Sequence, residues 1–423
     1  EVTTGVVWTG VRKVKVWRGG ARRGGDAAVP AIAAAQALPR ERTGKILSRQ
    51  YDPSIGPVSG KSGATLGMAL TEKQGGSDVI SNATRAEAGG RGGRLTGHKW
   101  FCSGPMSDGL LTLAQAADGL TCFLVPRWLE GTRNDIRIQR LKDKLGNRSN
   151  ASAEIEYHRT FAYQIGEGGR GVRTIIEMIH HTRLDTAMAP AGLMRAALVE
   201  AHHWVTHRTA FQKTLIDQPL MRSVLADLTL DWEGALALGM RVAKAFDGEA
   251  EEDRAFARIG VALAKFMNNK LCPMVGGEAM EVLGGMGYIE DTPLPMLYRE
   301  APLNGIWEGS GNVICLDVLR TLAKDPRARE LLNRELDAVA GQDWQYDAAL
   351  QSYRTRWRGL PSEEEARWFV EGTACLLTAS ILIQHAPEEI SGAFVATRLS
   401  GQRGRVYGSV SKQSTRAILA RLG

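Results

Sequence analysis

The segment Ile306-Trp307-Glu308-Gly309-Ser310-Gly311-Asn312 sets one carboxylate between a bulky apolar pair and two glycines. A carboxyl desolvated by aliphatic and aromatic walls holds its proton more tightly and can serve as a general base. The glycines let the backbone approach a ligand closely, and a helical pattern starts directly after them. Glu308 equally suits a helix start, where a carboxylate offsets the unpaired N–H groups. A second segment, Met68-Ala-Leu-Thr71-Glu-Lys-Gln-Gly75-Gly76-Ser77-Asp78-Val79, joins a short strand to a loop with two glycines and two hydroxyls. Such a loop offers backbone N–H and hydroxyl groups to a flat polar ligand or a phosphate. Taken alone it also reads as a polar β-turn with an Asp or Ser cap.

Other patterns fail on spacing. Gly166-Glu-Gly168-Gly-Arg-Gly171 matches G-x-G-x-x-G, but β structure precedes it and a helical bundle follows. Without a βαβ unit it reads as a glycine-rich connection into a helix. Gly60-Lys61-Ser62 lacks the first glycine of a phosphate-binding loop, because Ile55 stands at that place. His180-His181 and His202-His203 are adjacent pairs, and neighbours on a helix do not share a face. The cysteines at 102, 122, 272, 315 and 375 form no C-x-x-C pair. Neither a metal site nor a disulfide framework is expected. Reduced thiols fit a cytoplasmic protein.

Two kinds of element must position the two chemical segments. From Gly60 to His158, short β-rich runs at Leu110–Ala114, Leu120–Val125 and Ala151–Tyr157 alternate with Gly, Asn, Asp and Ser. With the strand ending Lys99-Trp100-Phe101-Cys102-Ser103, they predict a small barrel or sandwich. From Val172 onward the apolar spacing is helical, and Lys324-Asp325-Pro326 breaks it. The apolar run Ala374–Ile383 is too short to span a bilayer and reads as a buried helix. At 43% hydrophobic and 23% charged residues, bulk disorder is excluded. The net charge of +7 permits a polyanionic partner without proving one. After Ser391 there is no acidic residue, while Arg398, Arg403, Arg405, Lys412, Arg416 and Arg421 all fall there.

Five ordered segments resemble the acyl-CoA dehydrogenase superfamily. They are T-E-x-x-x-G-S-D-V at Thr71–Val79, G-H-K-W-F-C-S ending at Ser103, and Arg208-Thr-Ala-Phe211, with Gln212 where the family has Gly. Val282-Leu-Gly284-Gly285-Met-Gly287-Tyr288 and I-W-E-G-S-G-N complete the set. The wording of the first and last, with the basic C-terminal part, is similar to the AidB-type alkylation-response branch, which binds DNA. The resemblance implies an α+β multidomain fold: a small β-barrel or sandwich, an α-helical bundle and a C-terminal helical extension. Its boundaries would be a leader with a remnant of an N-terminal helical domain over 1–59, the β-domain over 60–165, the bundle over 166–325 and a basic helical domain over 326–423. The alien composition of the first thirty residues suggests an incomplete or misread start.

The same resemblance implies FAD, held between the β-domain and the bundle. Met68, Thr71, Gly76 and Ser77 would line it, and Phe101, Cys102 and Ser103 would flank its ring. Ile306, Trp307, Gly309, Ser310, Gly311 and Asn312 would complete the site. Arg208 and Phe211 would reach the FAD of a neighbouring subunit, which implies a homo-oligomer, expected as a tetramer. The implied chemistry oxidises the α,β bond of an acyl-CoA thioester, with Glu308 as base. Some members place the base on an earlier helix; that position here is Thr182, which has no carboxylate. Arg398, Arg403, Arg405, Lys412 and Arg416 would contact double-stranded DNA, and dehydrogenase activity would be weak or latent. The alternative is an ordinary flavin-dependent acyl-CoA dehydrogenase.

Overall fold

A computed structural model of the chain describes residues 44–89, 92–410 and 412–422. The leader expected over 1–59 lies outside the described residues up to position 43. Two compact units meet in sequence at Thr182 and Arg183.

The first unit is a barrel, as the punctuated β pattern predicts. Its strands are β1 (Leu66–Ala69), β2 (Arg85–Gly89), β3 (Gly92–Ser103), β4 (Gly109–Ala116) and β5 (Gly119–Pro126). The small pair β6 (Trp128–Leu129) and β7 (Thr132–Arg133) follows, then β8 (Ile136–Leu141) and β9 (Ser152–Ile165). β1 pairs with both β3 and β4, and β9 pairs with β3, β5 and β8, so the sheet closes on itself. β4 and β5 are apolar almost throughout because both of their faces are covered. One face packs Leu110, Phe123 and Val125 inside the barrel. The other packs Leu111, Leu113, Cys122 and Leu124 with Ile175, from the start of the helix α1 (Gly171–His207).

A charged pair sits among these side chains. Lys99 is 0% exposed, and its Nζ donates to Glu72 Oε1 at 2.7 Å and to Leu113 O at 2.9 Å. Glu72 also accepts from Ala83 N at 2.6 Å, and from Thr84 N at 3.1 Å and Thr84 Oγ1 at 2.6 Å. Burial raises the pKa of Glu72. The hydrogen bonds from Lys99, Thr84 and Gln74 together outweigh burial and bring it down from 4.5 to about 2. Lys61, read above as part of a failed phosphate loop, is buried too and meets Asp108 at 2.7 Å.

The second unit is helical. α1 continues into it, followed by α2 (Pro219–Asp247), α3 (Glu251–Val282), α4 (Leu294–Glu300) and α5 (Gly311–Lys324). Then come α6 (Pro326–Asp337), α7 (Trp344–Arg356), α8 (Ala366–His385), α9 (Glu388–Phe394) and α10 (Lys412–Leu419). The predicted break is a helix junction: Asp325 caps α6 by accepting from Arg327 N and Ala328 N, both at 3.1 Å, with Pro326 in the first turn. One apolar core runs from Ala187 to Leu422, so the segment over 326–423, expected as an added basic helical domain or bundle extension, shares its core with 183–325. The stretch Glu363–His385 is long and apolar enough to cross a membrane, but 72% of its most apolar window is buried inside this unit. It packs as a buried core helix of this unit. The five cysteines are free and buried, and the described residues hold no metal-ligating cluster.

Replacing Lys99 by Met leaves Glu72 without its buried counter-charge, so the chain should lose about 3–5 kcal/mol in a urea titration. The ionised form of Glu72 stabilises the barrel fully above about pH 4.5, and that contribution falls away as the pH drops toward 2. Glu72→Gln should flatten this part of the acid profile; an unchanged profile would place the acid sensitivity elsewhere.

Candidate active site

Within the barrel, strand pairing joins two segments distant in sequence, Met68–Ala69 and Cys102–Ser103. β1 runs antiparallel to β3 with Met68 opposite Ser103 and Ala69 opposite Cys102. Trp100 N donates to Thr71 O at 2.8 Å, which carries the contact past the end of β1. Pairing between β3 and β9 shifts register between Lys99 and Cys102. Such a bulge breaks the two-residue alternation. Lys99 and Cys102 are both fully buried, whereas the Phe101 ring is 47% exposed and Ser103 is half-buried. The Cys102 side chain therefore belongs to the barrel core and only its main chain is on offer to a ligand. Burial pushes its thiol up to about 12, so it stays protonated.

The loop after Thr71 is shaped from below by Glu72. Glu72 N and Gly75 N each donate to the other's carbonyl, at 3.3 and 3.0 Å, which folds Thr71–Gly76 into a tight turn. Gly75 has φ +135°, and a Cβ on Gly76 would stand 2.4 Å from Thr71 Oγ1. Only glycine at 76 leaves the Thr71 hydroxyl its place. Gly75, Gly76 and Ser77 are exposed, and Met68 and Thr71 are half-buried. Hydroxyls, loop N–H groups and a half-open aromatic ring thus gather on one edge of the barrel, a donor set that fits a flavin ring and its phosphates.

In the helical unit, Glu308 has φ +56° and Gly309 φ +104°. The left-handed conformation is unfavourable for a residue with a Cβ and persists only under external constraint. Arg183 Nε donates to Glu308 O at 3.1 Å. Lys265 Nζ donates to Asn304 O at 3.0 Å and to Gly309 O at 2.8 Å. Trp307 Nε1 donates to the side chain of Asn304 at 3.0 Å, which turns the indole back onto the loop. Behind them, Asp317 accepts from Arg183 at 2.8 Å and from Arg258 at 2.9 and 2.7 Å. Burial works to raise the Asp317 carboxyl, but Arg258 and Arg183 hold it below its usual value. α5 begins at Gly311 with Ser310 as its cap residue, and Asn312 is exposed on its first turn. The unpaired N–H groups there suit a phosphate oxygen, and a Cβ on Gly311 would lie 3.4 Å from Lys270 Nζ. Ile306 is 65% exposed.

Arg208 and Phe211 lie at a small hairpin, β10 (Thr209–Ala210) and β11 (Lys213–Thr214). Phe211 and Gln212 form its tip with φ +52° and +63°, and Phe211 is 92% exposed. The glycine expected at position 212 is thus explained by backbone geometry, and Gln212 takes up the same turn with a Cβ. Thr182 is buried and its hydroxyl donates to Ile179 O at 3.1 Å.

The basic C-terminal set divides. Arg398 was expected at a DNA surface, but its side chain is 3% exposed. It pairs with Asp227 at 2.5 Å and Asp231 at 2.8 Å, both on α2. Tyr407 donates to Asp231 at 2.9 Å, and Gly408 N and Ser409 N donate to Asp227 at 2.9 and 3.0 Å. A positive charge spent on two buried carboxylates cannot meet phosphates, and sequence alone could not show that its partners lie over 160 positions upstream. Arg405 and Arg416 are exposed, and Arg403 is half-buried with its guanidinium 5.4 Å from the Tyr407 ring. The side chain of Lys412 lies outside the described residues.

Sequence reasoning missed Glu72, Lys99, Arg183, Lys265 and Asp317. Two of them left a trace: Lys265 and Asp317 are single charges inside apolar helical runs, Val-Ala-Leu-Ala-Lys265-Phe-Met and Ile-Cys-Leu-Asp317-Val-Leu.

Comparison with known proteins finds two domain matches. Residues 67–160 match the acyl-CoA dehydrogenase middle domain, and residues 169–323 match the acyl-CoA dehydrogenase C-terminal domain. Escherichia coli AidB is 45% identical over 365 residues, which is 86% of this chain and 67% of that protein. Caenorhabditis elegans acyl-CoA dehydrogenase family member 11 is 34% identical over 68% of this chain and 49% of its own length. The chain thus spans between about half and two thirds of these relatives. Among solved structures, Caenorhabditis elegans ACDH-11 in complex with C11-CoA superposes with a TM-score of 0.75 at 27% identity, covering 93% of this chain and 69% of that one. The apo form of Bd2924 gives 0.73 at 32% identity, over 84% and 73%.

Arg398→Met should strand two buried carboxylates and cost about 3–5 kcal/mol in denaturant unfolding. A loss under 1 kcal/mol would show that the aspartates find other partners.

Proposed function

The chain belongs to the acyl-CoA dehydrogenase family, in its AidB-type branch, and from that premise we propose that it oxidises an acyl-CoA-like thioester weakly while binding duplex DNA in a response to alkylation damage. As a member it is an FAD-dependent, acyl-CoA dehydrogenase-like oxidoreductase. When bound, FAD supplies a two-electron hydride acceptor.

The observation that carries the catalytic reading is the loop around Glu308, forced into a left-handed turn and gripped through its carbonyls by Arg183 and Lys265. The α-proton of a thioester is weakly acidic. Its removal needs a carboxylate fixed in place rather than one that must be ordered at each turnover. Glu308 takes that proton as the β-hydrogen leaves with its electron pair, so the α,β single bond becomes a double bond. Phe101 offers a ring for stacking, and the Ser103 and Thr71 hydroxyls serve as hydrogen-bond donors to polar edges of the cofactor. Gly76, Ser77, Ser310, Gly311 and Asn312 supply N–H and side-chain donors for its phosphates. The bulk of Trp307 favours a narrow acyl channel. Because the worm relative was solved with C11-CoA, a thioester of that length is a reasonable first probe. Phe211, projecting from its hairpin, suits a contact with a neighbouring subunit of a homotetramer. The free, buried thiols support a cytoplasmic location as part of this proposal.

Arg403, Arg405 and Arg416 are the cations proposed to meet DNA phosphates. Such contacts give an affinity that falls steeply with salt. The second reading, an ordinary acyl-CoA dehydrogenase, gains from one finding: the basic tail surrenders Arg398 to an internal ion pair.

Glu308→Gln should retain FAD and lose bleaching of the flavin spectrum by an acyl-CoA; undiminished bleaching would assign the base elsewhere. Arg403→Glu with Arg405→Glu should weaken duplex binding at least tenfold in low salt and flatten its salt dependence, with FAD content unchanged. Equal binding by the double variant would remove the tail from the interface and favour the second reading.

A further inference from the structure

Lys265 lies in the middle of α3, and only 2% of it reaches solvent. Its neighbours in sequence are Ala262, Leu263, Ala264 and Phe266, all buried. Placing an ammonium group there is costly unless something nearby needs its charge. Its side-chain hydrogen bonds both end on one loop, at Asn304 O and Gly309 O, 3.0 and 2.8 Å away. Those two carbonyls bracket the four residues, 305–308, that present Glu308. Met or Leu at position 265 would fill the volume without the desolvation cost. Neither would bind both ends of the turn.

We propose that Lys265 is a positioning residue that fastens both ends of the Glu308 loop and keeps the Glu308 side chain in its carboxylate form. The proposal rests on the reading of Glu308 as the base. Charges reach Lys265 from three sides. Glu308, on the loop, favours the ammonium form; Arg183 of α1 and Lys270, further along α3, oppose it. Asp317 of α5 is held by Arg183 and Arg258, which leaves Glu308 as the carboxylate that answers Lys265. Burial brings the Lys265 ammonium down from 10.5 to about 8. It therefore remains protonated at neutral pH, and the loop carries its positive support under working conditions.

The pair works in both directions. Before reaction the ammonium stabilises the ionised base. The grip on Asn304 and Gly309 removes the need for the left-handed turn to re-form at each turnover. Arg183 holds the Glu308 carbonyl from the opposite helix, so the loop is held at three successive points: Asn304, Glu308 and Gly309.

The test uses the full chain and two variants. Lys265→Gln keeps two N–H donors for the loop carbonyls and removes the charge; Lys265→Met removes both. The Glu308 carboxyl is followed by 13C-detected titration without flavin or thioester, and its resonance is assigned by its disappearance in Glu308→Gln. Both lysine variants should move its titration upward by about 1 pH unit, a tenfold change in proton affinity. Amide hydrogen exchange at Gly309–Asn312 should accelerate in Lys265→Met and stay closer to the parent in Lys265→Gln. With FAD bound, Lys265→Gln should slow thioester-driven bleaching while the thioester concentration for half-saturation changes little. If the Glu308 titration does not move in Lys265→Gln, the proposal is overturned, whatever happens to the melting temperature. Should Lys265→Met fail to fold, Lys265→Gln alone decides. Bleaching that survives Glu308→Gln would sink the base reading instead, and the carboxyl titration would still report separately on the clamp.

Discussion

A carboxylate mounted on a left-handed residue does not stay in place by its own backbone preference. At Glu308 the backbone is held by cations from two helices, one on its own carbonyl and one on the carbonyls of Asn304 and Gly309. This constraint explains why α3 carries a lysine in its apolar stretch and why Asp317 is enclosed by two arginines. Asp317 fixes Arg183, Arg183 fixes the loop, and the loop fixes the acid. Strain at the reactive residue is thus balanced by ion pairs buried one layer behind it.

The same device recurs where segments distant in sequence must meet. Lys99 and Glu72 join the third strand of the barrel to the loop that follows the first, beneath the exposed glycines at 75 and 76. Arg398 joins the tail to α2 through two aspartates. Buried ion pairs add little net stability over well-packed apolar groups, yet removing one partner is severe. Their use at these three places ties them to geometry: each holds a loop or tail that apolar packing alone leaves free to slide.

Element types were legible because they follow local spacing. The barrel strands show in the short apolar runs between turn formers, and the α5–α6 junction shows in Asp325-Pro326. The segment around Glu308 was legible because glycines beside an acid and a tryptophan have few packing explanations. The bulge between Lys99 and Cys102 was not, since it depends on how β9 pairs with β3, and so the inward turn of Cys102 was missed. Arg398 was misread for a related reason. A run of cations without nearby acids looks like a surface, and only folding reveals acids brought from another helix. Lys99 and Glu72 were quoted as parts of motifs, but their burial depends on barrel closure.

The turn at Val395–Leu399 is wound as a π-helix, with Ser400 N bonded to Val395 O at 3.0 Å and Gln402 N to Ala396 O at 3.2 Å. A wider turn of this kind holds one residue more than an α-turn. Loss of a single codon there would shorten the turn by one residue and move Arg398 from its place within it. Arg398 would swing away from its aspartates, and the tail would lose its anchor without any charged residue being altered. Length variation among related chains should therefore be rarer at this turn than in the exposed stretch that follows it, where an insertion only lengthens a loop.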